Sequence, residues 1–78
     1  MLFLSSLVPG ECGIVENIDV KSPIRNRLFD LGIVPGTKIL CVMKSPLGDP
    51  IVYFVRGTLI ALRISDSSRI SVNKPVTM

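Results

Sequence analysis

The residues of this 78-residue chain that could do chemistry are two cysteines, a loop carboxylate and a scatter of arginines. Nucleophilic catalysis needs a base beside a serine or cysteine; the chain has no histidine, and no lysine stands in an evident pair with either. The sequence therefore reads as a protein that is not an enzyme, with no catalytic residue and no cofactor. Metal binding is no better supplied. Cys12 and Cys41 are not spaced as a local ligand pair, and a closed soft-metal site needs ligands beyond these two. Both read as small buried residues in apolar strands. Asp49 is one carboxylate in a loop where a hard cation gathers several oxygens, so it reads as a turn former. Six glycines contain neither a P-loop spacing nor a Gly-x-Gly-x-x-Gly run, which removes those routes to nucleotide binding.

What remains is contact chemistry. Nine Lys or Arg stand against six Asp or Glu, a net charge of +3 spread along the chain in ones and twos. The arginines expected at a partner surface are Arg25, Arg27 and Arg63, because a guanidinium pairs two-pronged with a carboxylate. The loop Pro46-Leu47-Gly48-Asp49-Pro50 joins them, since its prolines preset a shape at low entropic cost. The bland alternative for each is a solvated charge or a structural turn. A basic small barrel could also bind nucleic acid, but that needs stacked aromatics. Only Phe3, Phe29, Tyr53 and Phe54 are present, and the core claims two of them.

Those side chains must be held by short elements. With 47% hydrophobic residues in a chain of this length, there is room for one core and one domain over residues 1–78. A domain so small leaves apolar area outside, which permits self-association. The longest apolar runs, Ile39 to Met43 and Ile51 to Val55, fall far short of the ~18 residues of a spanning helix. Met1-Leu2-Phe3-Leu4 has no basic residue ahead of it and is cut by Ser5-Ser6, so it does not read as a leader. With the two cysteines free of any disulfide framework, the expected location is cytoplasmic, with no insertion into the membrane.

Proline and glycine cut the chain into short runs, the pattern of a small β-structure. Val8-Pro9-Gly10-Glu11 and Val34-Pro35-Gly36-Thr37 both fit type II turns, and strands follow at about Cys12 to Asp19 and Thr37 to Lys44. One helix lies between. Ser22 is its expected N-cap and Pro23 its first residue, Ile24, Leu28 and Leu31 form its apolar stripe, and Gly32 ends it with Ile33 packing back on Leu28. Lys21, Arg25 and Arg27 are expected to oppose the helix dipole at its positive end. After the proline loop, Ile51 to Val55 and Thr58 to Ile64 read as strands joined by a tight Arg56-Gly57 connection. Ser65 to Ser68 breaks the second, Ile70 to Val72 makes a last strand, and Asn73 to Met78 reads as a loose tail. The expected architecture is mainly β with one short helix, a small SH3-like β-barrel of five to six strands, partly closed so that edges are removed.

Three ordered segments, Arg25-Asn26-Arg27-Leu28-Phe29-Asp30-Leu31-Gly32-Ile33-Val34-Pro35-Gly36-Thr37, Pro46-Leu47-Gly48-Asp49-Pro50-Ile51 and Leu59-Ile60-Ala61-Leu62-Arg63, resemble the FeoA family. Leu7-Val8-Pro9-Gly10-Glu11-Cys12-Gly13 and Ile70-Ser71-Val72 are similar to its opening and close. The resemblance spans nearly the whole chain, and its specificity lies in the combination, because Leu-Gly and Pro-Gly pairs are common singly. It implies an SH3-like barrel that accompanies FeoB, a membrane transporter of ferrous iron with a cytosolic GTP-binding domain. On that footing the expected function is a small accessory protein that binds the FeoB-type transporter and modulates iron uptake. The alternatives are a nucleic-acid-binding small barrel and a protein that binds iron directly.

Overall fold

The computed structural model describes the backbone of residues 2–19, 22–73 and 76–77, and the side chains of residues 2–19 and 24–73. Its elements are β1 (Leu2–Phe3), a 3-10 turn (Leu4–Ser6), β2 (Glu11–Ile18), α1 (Ser22–Asp30), β3 (Lys38–Lys44), β4 (Ile51–Val55), β5 (Thr58–Leu62), α2 (Ile64–Ser67), β6 (Ile70–Val72) and β7 (Val76–Thr77). All strand pairs are antiparallel, in the order β1-β6-β2-β3-β4-β5, with β7 added to β2.

Turn chemistry fixes much of this path. In each Pro-Gly turn the glycine takes φ +95° and the last residue closes the turn: Glu11 N–H donates to the Val8 carbonyl and Thr37 N–H to the Val34 carbonyl, both at 3.0 Å. Each turn then ties to a neighbouring strand, Gly10 N–H to the Cys41 carbonyl at 2.9 Å and Gly36 N–H to the Val15 carbonyl at 2.8 Å. Arg56 and Gly57 sit at φ 50° and 84°, the left-handed pair of a two-residue hairpin, which sets the β4–β5 register from Val55 opposite Thr58. The sheet curls where β2 shifts register between Val15 and Asn17 and β3 between Cys41 and Met43, since an extra residue on one strand bends it.

Helix α1 ends as its residues dictate. Gly32 takes φ +89°, Gly32 N–H donates to the Phe29 carbonyl and Ile33 N–H to the Leu28 carbonyl, both at 2.9 Å, and Ile33 joins Leu28 in the core. The Arg56 side chain crosses this corner, its Cδ only 2.6 Å from where a Cβ on residue 32 would stand. The capping roles read for Ser22 and Pro23, and the charge of Lys21, fall on side chains outside the described residues.

The concave side of the sheet closes over one core built by alternation. Ile39 and Cys41 of β3, Ile51, Tyr53 and Val55 of β4, and Ile60 and Leu62 of β5 point inward against Leu4, Leu28 and Ile33. Tyr53 is 0% exposed and its hydroxyl donates to the Leu4 carbonyl at 3.3 Å, tying the N-terminal turn to β4. Burial pushes its phenol up to about 12, with the Ser67 hydroxyl pulling the other way and Cys41 adding to the rise. Burial likewise pushes up the Cys41 thiol, against the pull of Lys44 and with a push from Glu11. A raised, buried thiol is unreactive, and both cysteines are free and buried as the sequence suggested.

The structure departs from the sequence reading at several points. The strand expected to reach Ile64 stops at Leu62, because residues 64–67 wind into the one-turn helix α2, a second helix where one was expected. Residues 2–3 and 76–77 form short strands, the latter within the stretch read as a loose tail. Arg27 lies in the last turn of α1, where its charge suits the helix dipole instead of opposing it. Ile24 of the expected apolar stripe is 36% exposed. Among the described residues strands number seven and β5 does not pair with β1, so the sheet is SH3-like in its mainly β, single-core build but is not closed. A two-residue β1 has too few backbone groups to cover a five-residue β5.

Candidate docking groove

Beside that open end, α1 and β5 leave a groove of about 400 Å³ between them. Its apolar lining comes from Ile24 and Leu28 of α1 and Leu31 just beyond it on one side, and from Ile60, Ala61 and Leu62 of β5 on the other. Arg27, Arg63, Pro50 and Asp66 complete the lining. Two cations against one anion give the groove a positive balance.

Each of these groups is held by local structure. Arg27 is carried by the last turn of α1, which the Gly32 cap terminates and Leu28 anchors in the core. The backbone of Arg63 is the N-cap of α2: its carbonyl accepts from Asp66 N–H at 3.0 Å, Ser67 N–H at 2.9 Å and the Ser67 hydroxyl at 3.2 Å. The guanidinium is left exposed. Pro50 closes the 45–50 loop, where its carbonyl accepts from Ser45 N–H at 3.2 Å and from the Ser45 hydroxyl, and Gly48 N–H donates to the Ser45 carbonyl at 2.8 Å.

The structure thus brings together three of the residues singled out from the sequence, Arg27, Pro50 and Arg63. It separates the others. Arg25 stands over the Phe29 ring, 5.3 Å from its centroid, and does not line the groove. Pro46 and Leu47 project from the loop, Leu47 being 95% exposed, and Gly48 follows them half-buried. Asp49 has a partner within the fold: its Oδ1 accepts from Ile64 N–H at 2.9 Å and so caps α2 from a loop distant in sequence.

Sequence reasoning missed Ile24, Leu31 and Ile60 as groove formers, having read the first two as the apolar stripe of the helix and the third only as part of a strand, and it read Asp66 as part of a strand break. The alternation of Leu59 and Ala61 against Ile60 and Leu62 was the available signal for the strand face. Nothing local announced that α1 lies alongside. A second cavity of about 440 Å³ lies on the other face, between Cys12, Lys38, Leu40, Phe54 and Arg56. Among the described residues no group of three or more His, Cys, Asp or Glu could hold a metal ion, and no helix is long and apolar enough to cross a membrane.

Residues 3–74 match the FeoA domain family. Over 69 residues the chain is 30% identical to the Fe(2+) transport protein A/Fe(2+) transporter FeoB fusion protein of Porphyromonas gingivalis, covering 88% of this chain but only 8% of that protein. Among solved structures, the FeoA protein of Chlorobium tepidum superposes with a TM-score of 0.87 at 35% identity, over 91% of this chain and 68% of that one. The Stenotrophomonas maltophilia FeoA, solved in complex with zinc and described as a procaryotic SH3 domain protein, gives a TM-score of 0.81 at 35% identity, over 94% and 91% of the two chains. With a family match from residue 3 to residue 74 and the same fold in both solved relatives, this chain belongs to the FeoA family, whose relatives are tied to ferrous iron transport.

Proposed function

We propose that this protein is a cytoplasmic accessory protein that binds the cytosolic face of an FeoB-type ferrous iron transporter and modulates iron uptake, working by contact and without a cofactor or catalysis. One observation carries the reading: in the Porphyromonas gingivalis relative, a segment similar to this chain is part of the same polypeptide as an FeoB transporter. Two units joined in one chain work at one place, and where they are separate they must find each other by docking. The groove supports a docking role, since it offers a firm apolar floor and a charged rim but only one carboxylate and no nucleophile. On this reading one FeoA-like domain over residues 1–78 presents Arg27, Arg63 and Pro50 as contacts, with Arg25 and the neighbouring loop residues Pro46, Leu47, Gly48 and Asp49 at the periphery.

The test is recovery of the transporter. A tagged copy of the protein should co-purify the FeoB-type transporter of the same organism from detergent-solubilised membranes. Failure to do so, with both proteins folded and present, removes the proposal.

A further inference from the structure

We infer that the open edge of β5, with the groove beside it, accepts an extended acidic segment of a partner protein as an additional strand. The inference rests on the docking role above and specifies its mode.

The hairpin geometry decides which backbone groups are available. In a two-residue hairpin the flanking residues, here Val55 and Thr58, exchange hydrogen bonds, and pairs then alternate along the ladder. Ile60 and Leu62 therefore turn their N–H and C=O groups toward β4, opposite Tyr53 and Ile51, while Leu59 and Ala61 turn theirs to the free side. Among the described residues no hydrogen bond reaches that side: the β5 backbone pairs with β4 alone. Edge strands are normally blunted by proline, by charge or by a bulge. Thr58–Leu62 contains neither proline nor a charged residue, and its register with β4 runs without a shift, in contrast to the bulged β2 and β3. An unblunted apolar edge alone is an aggregation hazard, so its persistence beside a shaped groove marks it for a specific strand.

Charge and alternation describe that strand. Residues of an added strand lying across from Ile60 and Leu62 point down onto the floor formed with Leu28 and Leu31, which calls for apolar side chains. The intervening residues share the outer face with Ala61 and Arg63, and Arg27 stands at the rim. Among the described residues neither guanidinium takes part in a side-chain hydrogen bond. Carboxylates at those positions complete them, whereas a second copy of this chain would bring the same positive rim.

The test uses the full-length protein and two probes. The first is an acetylated, amidated nine-residue peptide alternating valine with glutamate, titrated into nitrogen-15-labelled protein and followed by NMR, with a lysine-for-glutamate peptide as control. Expected are saturable shifts centred on Leu59, Ala61 and Arg63, amide exchange at Leu59 and Ala61 slowed at least tenfold, and binding of the lysine peptide at least fivefold weaker. The decisive variant is Ala61→Pro, which removes an N–H that β4 does not use and leaves the β4–β5 ladder intact. It should unfold at nearly the wild-type denaturant concentration yet bind at least tenfold more weakly, and Arg63→Glu should weaken binding several-fold without touching the backbone. Peptide shifts mapped to another surface, no saturation, or equal binding by Ala61→Pro and wild type would overturn the inference. So would a dimer that Ala61→Pro abolishes, which makes a second copy the occupant. The second probe is the FeoB-type transporter: equal recovery by wild type and Ala61→Pro overturns strand addition while leaving the docking role standing. Peptide binding without any recovery of the transporter supports the edge site and removes the transporter as its partner.

Discussion

Tyr53→Phe removes one oxygen from the centre of the core and separates two effects that the structure assigns to that atom. The hydroxyl donates to the Leu4 carbonyl at 3.3 Å, and its loss should cost about 1 kcal/mol at neutral pH, a typical net value for an intramolecular hydrogen bond. The cost should not run higher, because the Leu4 carbonyl keeps a second donor in Leu7 N–H at 3.2 Å. The second effect has the opposite sign. With the folded phenol at about 12 and an unfolded value near 10, the wild type holds its full stability below pH 10 and loses it as pH rises through 12. Two pH units of displacement correspond to about 3 kcal/mol, of which about half is gone by pH 11. The phenylalanine variant has no such loss. Urea denaturation across pH 7 to 12 should therefore find the wild type more stable by about 1 kcal/mol at neutrality and the two curves crossing near pH 11. Because the chain has one tyrosine, tyrosinate absorbance on the folded protein reads the same titration directly. Parallel stability curves, or a phenol that ionises near 10 in the native state, would refute the assignment.

Two further substitutions test the frame around the groove. Gly32→Ala places a side chain at φ +89° and against Arg56 Cδ; the arginine can swing aside, so the backbone penalty of about 1–2 kcal/mol should dominate, and Gly32→Asn should recover part of it in the same denaturation assay. Asp49→Ala removes the acceptor of Ile64 N–H and should cost about 1 kcal/mol while speeding Ile64 amide exchange; an unchanged melting temperature and exchange rate would deny the cap its role.

The features that could be read from the sequence are those whose cause is local. Gly32 ends α1 because one left-handed residue suffices, and the Pro-Gly turns and the Arg56-Gly57 hairpin follow from the φ values of the residues themselves. The strands β3, β4 and β5 announce themselves as short apolar runs bounded by charge, proline or glycine, while the alternation that buries Ile39, Cys41, Tyr53 and Ile60 appears only in the fold. Two-residue strands have no period to detect, so β1 and β7 were invisible. Helix α2 was missed because its cap, Asp49, comes from a loop distant in sequence, and Ser65 to Ser68 alone reads as a break. The groove lay beyond reach for the same reason: Arg27 and Arg63 line one groove only because the fold places α1 and β5 on its two sides, and Asp49 caps α2 from a loop distant in sequence. The open edge was hidden by an expectation of closure, which depends on whether the terminal strands are long enough to pair.

An edge that binds by adding a strand divides the cost of association unevenly. On this side little is lost, since β5 is already held to β4 at five positions and the Arg63 backbone is fixed by three acceptor contacts within α2. The incoming segment bears the cost, about 1–2 kcal/mol for each residue ordered, against backbone hydrogen bonds worth about 1 kcal/mol each and a few apolar side chains on a short floor. Such docking is weak and readily reversed unless the two partners are kept close. Covalent linkage to the transporter, the arrangement in the Porphyromonas gingivalis relative, supplies that closeness, because a tether of modest length raises the effective concentration to about the millimolar range. Where no tether exists, occupancy of the edge must follow the concentration of the accessory protein itself. Raising its expression should therefore change iron uptake in a graded manner with no sharp saturation, and a response already saturated at low expression would mean tighter docking than a five-residue edge can provide.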